Sequence, residues 1–289
     1  MKITSLQNII ASSGGAQRIL MGHALAWAIM FLQHDALASL GSVDLGTASS
    51  FAVLAGSGIT VAGAVNTTTI TGDIGTYPTP SITGLGNVVL NGVNQTSDTG
   101  LMLNSKIDLT AAFNAAAGLP ATMTYAPIYD LGGQTLTSGV YNDPTSFGLT
   151  GNLTLDAQGD PNAVFIIQAG SSLTTASDSS VLLINGAQAC NVYWVVGSSA
   201  TLGTGTEFVG TIMALTSITA DTGATVDGQL LAENGTVTLD NNTITIPVCG
   251  NSATAVPEPT TFIAGALLLL PFGPTALRML RQKCGTPSV

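Results

Sequence analysis

Charge of either sign is scarce. Only 8% of the 289 residues are charged, and six Lys plus Arg face sixteen Asp plus Glu. A nucleic-acid footprint needs clustered cations against phosphates, so that class of partner is excluded. Aromatic residues make up 5% and cysteine only three residues, too few for a small disulfide scaffold. Histidine is scarcer still: both, His23 and His34, precede residue 39. The remainder therefore lacks an imidazole for general-base work, a Ser-His-Asp triad or a usual zinc site. No catalytic residue or metal ligand is expected. What is present is 45% hydrophobic sequence with 34 glycines that keep no three-residue period. That is too apolar for disorder and wrong for collagen.

The two ends differ from the middle. Lys2 and Arg18 are the only cations before an apolar run over 19–32, and Ala36-Leu37-Ala38 supplies the small-x-small pattern of a signal peptidase site. Residues 1–38 read as an export signal. At the far end, Pro257-Glu258-Pro259 precedes an apolar stretch over 260–277 and then Arg278, Arg281 and Lys283. Eighteen residues at about 1.5 Å each barely cross a hydrocarbon core of about 30 Å, and Pro271 and Pro274 would kink them. A transient membrane stay suits this segment, with the basic cluster on the cytoplasmic side. Residues 256–289 resemble a PEP-CTERM sorting tail. The resemblance implies processing by an exosortase in a Gram-negative-type envelope and delivery to the cell surface or extracellular polymer.

Residues 39–255 remain as one domain, with Lys106 as its single cation against fourteen acids, a net charge of −13. Short runs rich in Thr, Val, Ile and Leu alternate with Gly, Asn, Asp and Ser, the signature of many strands and turns. An apolar or small residue followed by threonine recurs at Thr137, Thr154, Thr174, Thr201, Thr219 and Thr238, at spacings of 17, 20, 27, 18 and 19. Eighteen or nineteen residues suit one coil of a three-sided β-solenoid whose coils stack about 4.8 Å apart, with the apolar residue inward and the threonine outward. One segment departs from this pattern. Over 97–117, Met102, Leu109, Phe113 and Ala116 fall on one helical face, Ser97 or Asp98 can cap the start, and Gly118 with Pro120 ends it. A helix lying along the solenoid is expected. Cys190 and Cys249 are expected to form a disulfide in an exported chain.

The runs DLGTASSFAVLAGSGIT (44–60), TGDIG (71–75), LDAQGDPNAVFII (155–167), INGAQACNVYWVVGSSATLGTGT (184–206) and ALTSITADTGATVDGQLLAENGTVTLDNNTITIP (214–247) flank the single helix in order. Together they are similar to the ice-binding-protein-like family. The resemblance implies a right-handed, discontinuous β-solenoid of triangular section with one long helix packed alongside and the N-terminal strands out of sequence order. It also implies ice as the ligand, one flat active face and no cofactor. A Thr, Ala or Gly, any, Thr or Asn pattern marks that face in family members. Thr222-Gly223-Ala224-Thr225 fits it, Thr204 to Thr206 fits in part, and Ser177, Asn241, Thr243 and Thr68 are candidates on neighbouring rungs. Glu207 and Asp178 would bring hydrated carboxylates to the same face.

Two other classes compete. Asp156 with Asp160, or Asp221 with Asp227, are pairs of the kind that perform acid and base work on glycans. Turn formation explains them, and a region without Arg or His has little to hold an acidic sugar. A cell-surface or matrix adhesin binding extracellular polysaccharide is the alternative to ice adsorption.

Overall fold

The structure, a computed structural model, describes residues 40–250. The expected leader (1–38) and sorting tail (256–289) lie outside the described residues. Among the described residues no helix is long and apolar enough to cross a membrane. The chain is mainly β, built from parallel strands in a 14-stranded and an 8-stranded sheet, with one long helix, Thr99–Ala117.

The pairings resolve into three ladders, called here walls A, B and C. Wall A stacks Met123–Thr124, Gly139–Asp143, Phe165–Ala169, Val192–Val196, the later halves of Glu207–Ala214 and Thr225–Ala232, then Phe51–Ala55 and Asp73–Thr76. Wall B stacks Tyr129–Asp130, Phe147–Leu149, Leu173–Thr175, Ala200–Leu202, Ile218–Ala220, Thr236–Asp240, Gly58–Ala62 and Ile82–Thr83. Wall C runs from Thr135–Thr137 through Asn152–Asp156, Ser180–Ile184, the first halves of the two long strands and Thr243–Thr245 to Thr68–Thr71 and Val88–Asn91. Each passage of the chain contributes one rung to each wall. The N-terminal strands extend the stack beyond the last C-terminal rungs, out of sequence order, so the chain must return to the other end. The helix makes that return: nineteen residues span about 28 Å, against about 34 Å for the seven gaps of wall A.

Side chains alternate across each strand, which fixes what is buried. On walls B and C one face is apolar and inward, as with Leu173, Ala200, Ile218 and Val237, all at most 1% exposed. Wall A is buried on both faces, which is why Phe165–Ala169 and Val192–Val196 are buried at every position. Phe165, Ile167 and Trp194 fill the space between the walls, while Ile166, Tyr193 and Val195 point the other way, toward Met102, Leu109 and Phe113 of the helix.

Polar contacts fix the helix on this apolar bed. Asp98 caps its first turn by accepting from Leu101 N at 3.0 Å. Asp108 accepts from Thr47 N at 2.8 Å and from its hydroxyl at 2.7 Å. Lys106, the only Lys or Arg among the described residues, is buried on the docking face. It donates to the carbonyls of Ala232 and Glu233 and pairs with the Glu233 carboxylate at 3.5 Å. Burial pushes the Lys106 ammonium below its ordinary pKa, and Glu233 partly restores it. Gln168 donates to the carbonyls of Ala116 and Leu119, satisfying the helix's open C-terminal end.

Two observations revise the sequence reading. The helix and its stripe form as expected, starting two residues later than 97. The threonine series, however, belongs to two walls. Thr174, Thr201, Thr219 and Thr238 stack in register on wall B, whereas Thr137 and Thr154 lie on wall C, paired with Asp156 and Thr135. Their spacings of 17 and 20 match a coil repeat without sharing its register. Cys190 and Cys249 are both disulfide-bonded.

The corner from wall C to wall A is tightest where the two long strands turn without a loop. Gly210 and Gly228 stack there in register, and a Cβ on Gly228 would collide with the Gly210 carbonyl. Gly228→Ala is expected to cost about 3 kcal/mol or more in chemical denaturation, and Gly86→Ala, which meets no atom within 4 Å, to stay within about 0.5 kcal/mol. Asp143, 0% exposed, accepts from the Tyr129 and Thr145 amides and from the Thr145 hydroxyl. Burial raises its pKa, but these donors outweigh it and hold the carboxyl below the ordinary value. A depressed pKa stabilises the fold above the unfolded value near 4, and that stabilisation is lost as pH falls through the folded value. Asp143→Asn should cost about 2 kcal/mol at pH 7, with a gap to the parent that narrows progressively below about pH 4.

Candidate functional site

Wall A is covered by the helix, which leaves walls B and C as broad exposed surfaces. On wall B the outward residue at the strand centre is Asp130 on the end rung, then Gly148, Thr174, Thr201, Thr219, Thr238, Thr60 and Thr83, all in one register. Two residues earlier on the same side stand Ser146, Ser172, Ser199, Ser217, Thr236, Gly58 and Ser81. Adjacent rungs are about 4.8 Å apart and the two columns about 6.6 Å, so these two columns form a regular grid without a formal charge across the seven rungs from Gly148 to Thr83, beyond an end rung that carries exposed Asp130.

The columns differ in chemistry. The serine hydroxyls are tied into the corner: Ser199 Oγ accepts from Ser217 N at 3.3 Å, and Ser217 Oγ accepts from Thr236 N at 3.2 Å. Among the described residues, the hydroxyls of Thr174, Thr201, Thr219 and Thr238 have no protein partner and face outward. Their β-branch restricts χ1, so methyl and hydroxyl repeat in one orientation from rung to rung. The sequence signal for this column was present as Ser-x-Thr and Gly-x-Thr triplets. Thr60 and Thr83 were missed because their rungs come from the N-terminal end of the chain.

The motif Thr222-Gly223-Ala224-Thr225 is the corner turn between walls B and C. Its second position is left-handed, as at Asp178, Gly205, Gly223 and Asn241, with φ between 55° and 77°. Its third position points inward, and this overturns two expected site residues. Thr206 and Thr68 are both 0% exposed. The Thr206 hydroxyl hydrogen-bonds Thr175 at 2.8 Å, and Thr68 accepts from Asn242 N at 3.4 Å. Both belong to a polar seam inside the corner and are unavailable to a surface ligand. Asn241 is the left-handed turn residue of its rung, so it matches Gly223 and not Thr222. Ser177, Thr204 and Thr222 are exposed along the corner, and Thr222 donates to the Asp240 carboxylate. Thr225 and Thr243 are exposed on wall C.

Wall C is less regular. Its outward column reads Asn152, Ser180, Glu207, Thr225, Thr243, Thr69 and Val89. Glu207 interrupts it as expected, and Asp227 and Leu182 interrupt the neighbouring column. A depression of about 530 Å³ is lined by Phe208, Val209, Thr225, Asp227 and Thr243. Burial there raises the Asp227 pKa above its ordinary value. Of the four aspartates weighed for acid and base work, Asp156 and Asp160 serve turns, accepting from Gln158 N and Asn162 N. Asp221 and Asp227 accept no backbone N–H, so turn formation does not account for them.

Residues 53–245 match the family model described as Ice-binding-like. An ice-binding protein of Nostoc sp. (strain HG1) is 47% identical over 224 residues, covering 76% of this chain and 81% of that protein. An ice-binding protein of Colwellia sp. is 35% identical, over 71% of this chain and 84% of that one. Among solved structures, an ice-binding protein from an Antarctic biological consortium is 46% identical with a TM-score of 0.69, covering 72% of this chain and 93% of that chain. One from the Antarctic ascomycete Antarctomyces psychrotrophicus is 44% identical with a TM-score of 0.68, covering 72% and 100%.

The interior seam has its own test. Thr206→Val should lower stability by about 1–2 kcal/mol, because it leaves the buried Thr175 hydroxyl short of a partner. The change should appear in the thermal midpoint and leave any surface activity measured below it unaltered.

Proposed function

Because the chain belongs to the Ice-binding-like family, we propose that it adsorbs to ice, and that wall B is the adsorbing surface. The observation that carries this reading is the in-register threonine column from Thr174 to Thr83, flanked by the serine column. An ice surface is a neutral, periodic array of water, so its binder needs a rigid, level, uncharged face of fixed repeat. Backbone hydrogen bonds between rungs supply the repeat. Threonine methyl groups order the intervening water, and the free hydroxyls join that layer. Wall C carries Glu207 and Asp227 in the middle of its two outward columns and is indented beside them, whereas the carboxylates of wall B, Asp130, Asp221 and Asp240, stand on its end rung and its edge column; wall A is occupied by the helix. Ser177, Thr204 and Thr222 border the adsorbing field, while Thr225 and Thr243 stand round the corner from it.

The architecture fits a three-sided solenoid, wound right-handed as parallel β connections are in nearly all proteins. We assign residues 1–38 to export, 39–255 to the adsorbing domain and 256–289 to a PEP-CTERM-type tail read by an exosortase. Such a protein would act at the cell surface or outside the cell, where it slows ice growth or recrystallisation.

Thermal hysteresis and ice recrystallisation measured on the purified protein test the face. Thr201→Tyr and Thr219→Tyr should each lower hysteresis by roughly fivefold or more, since one bulky ring lifts several rungs from a level surface. Thr225→Tyr and Thr243→Tyr should leave it near the parent value, with circular dichroism unchanged in all four. The reverse pattern would move the site to wall C, and no activity in the parent would return the adhesin reading.

A further inference from the structure

Ten of the acids have a local structural task. Asp44, Asp73, Asp98, Asp108, Asp130, Asp143, Asp156 and Asp160 each accept at least one backbone N–H. Glu233 pairs with Lys106, and Glu207 accepts from the Ser180 hydroxyl at 3.3 Å. Asp178, Asp221, Asp227 and Asp240 cap no backbone amide, and all four lie on wall C or at its corner with wall B. Two of them interrupt wall B itself. The column two residues beyond the threonines stays small and neutral at Ala176, Gly203 and Ala62 but carries Asp221 and Asp240 on neighbouring rungs, directly after the paired Ala220 and Leu239. Rungs about 4.8 Å apart bring two like charges side by side. The only described cation, Lys106, is buried under the helix and already paired. The Asp221 carboxylate has no hydrogen-bond partner among the described residues. Asp240 accepts from Thr222, which takes that hydroxyl away from solvent.

Resting on the wall B reading, we propose that Asp221 and Asp240 set the width of the adsorbing face. A carboxylate holds its own water shell strongly, and an ordered neutral water layer cannot continue across it without displacing that shell. The edge column and Thr222 are thereby excluded from contact. The lattice meets the serine and threonine columns alone, which limits both the strength of adsorption and the set of ice planes that fit. The two aspartates act as determinants of specificity by what they keep off the face, at the cost of mutual repulsion in the fold.

The pair Asp221→Asn with Asp240→Asn tests this without removing the acceptor for Thr222, and Asp221→Thr with Asp240→Thr extends the hydroxyl grid. Both should raise thermal hysteresis by roughly twofold or more at equal concentration and alter the planes decorated by fluorescently labelled protein on a single ice crystal. Asp227→Asn, on wall C, should leave both readouts at the parent value. A gain in thermal midpoint alone, with hysteresis and plane preference unchanged in a folded protein, would overturn the proposal by showing that only repulsion within the fold was relieved. If Thr201→Tyr abolishes hysteresis while both pairs change nothing, the edge proposal falls and the wall B reading stands. If Thr201→Tyr is silent and Asp227→Asn raises hysteresis, both fall.

Discussion

Parallel hydrogen bonding between successive passages of the chain is the constraint from which the rest follows. Each rung must copy the register of the one before, because a slip of a single residue would turn every inward side chain outward. That requirement converts a loose sequence periodicity into straight columns. Once Leu173, Ala200, Ile218 and Val237 are committed to the interior, Thr174, Thr201, Thr219 and Thr238 have only one side on which to stand. The surface grid is thus the outer image of the core.

Corners decide how level the walls are. Between walls B and C the chain uses a left-handed residue followed by a small inward one, and the interior of that corner is lined by hydroxyl and amide groups instead of methyls. Asn242 donates to the carbonyls of Asp221 and Ala224 at 2.8 and 3.1 Å, satisfying backbone groups the turn leaves open. Between walls C and A two rungs use stacked glycines, and elsewhere longer loops such as those around Asp160 and Asn185 take the turn. The helix solves a separate problem. A two-sided apolar wall needs a cover, and the out-of-order N-terminal strands need a return path, so one segment supplies both.

Much of this was legible in the residues. The helix could be read because its stripe, its Asp98 cap and its Gly118 stop agree with one another. The recurrence of threonine could be read because it follows apolar residues at coil-like spacing. The resemblance over 44–247 carried the order of elements and the displaced N-terminal strands. What failed was the assignment of individual threonines to surfaces. Thr206 and Thr68 sit in a pattern that looks like the exposed one, yet the corner turns their side chains inward. Thr137 and Thr154 share the coil-like spacing but lie on wall C, outside the wall B column. Thr60 and Thr83, far away in sequence, complete that column.

The residues alone determined which side chains repeat, that the repeat is β with one capped helix bearing an apolar stripe, and that residues 39–255 contain no histidine for imidazole or thiolate-histidine chemistry. Those properties depend on composition and local spacing, and both are fully present in one dimension. The tertiary structure decided which repeats coincide, because register between rungs separated by eighteen to nearly two hundred residues is set by stacking and corner geometry. It likewise decided where charge falls relative to the neutral grid. Asp221 and Asp143 are the same residue type, each at the end of a strand, yet one stands unpartnered at the edge of wall B and the other is buried among backbone and hydroxyl donors, a difference that only the packing of neighbouring coils creates.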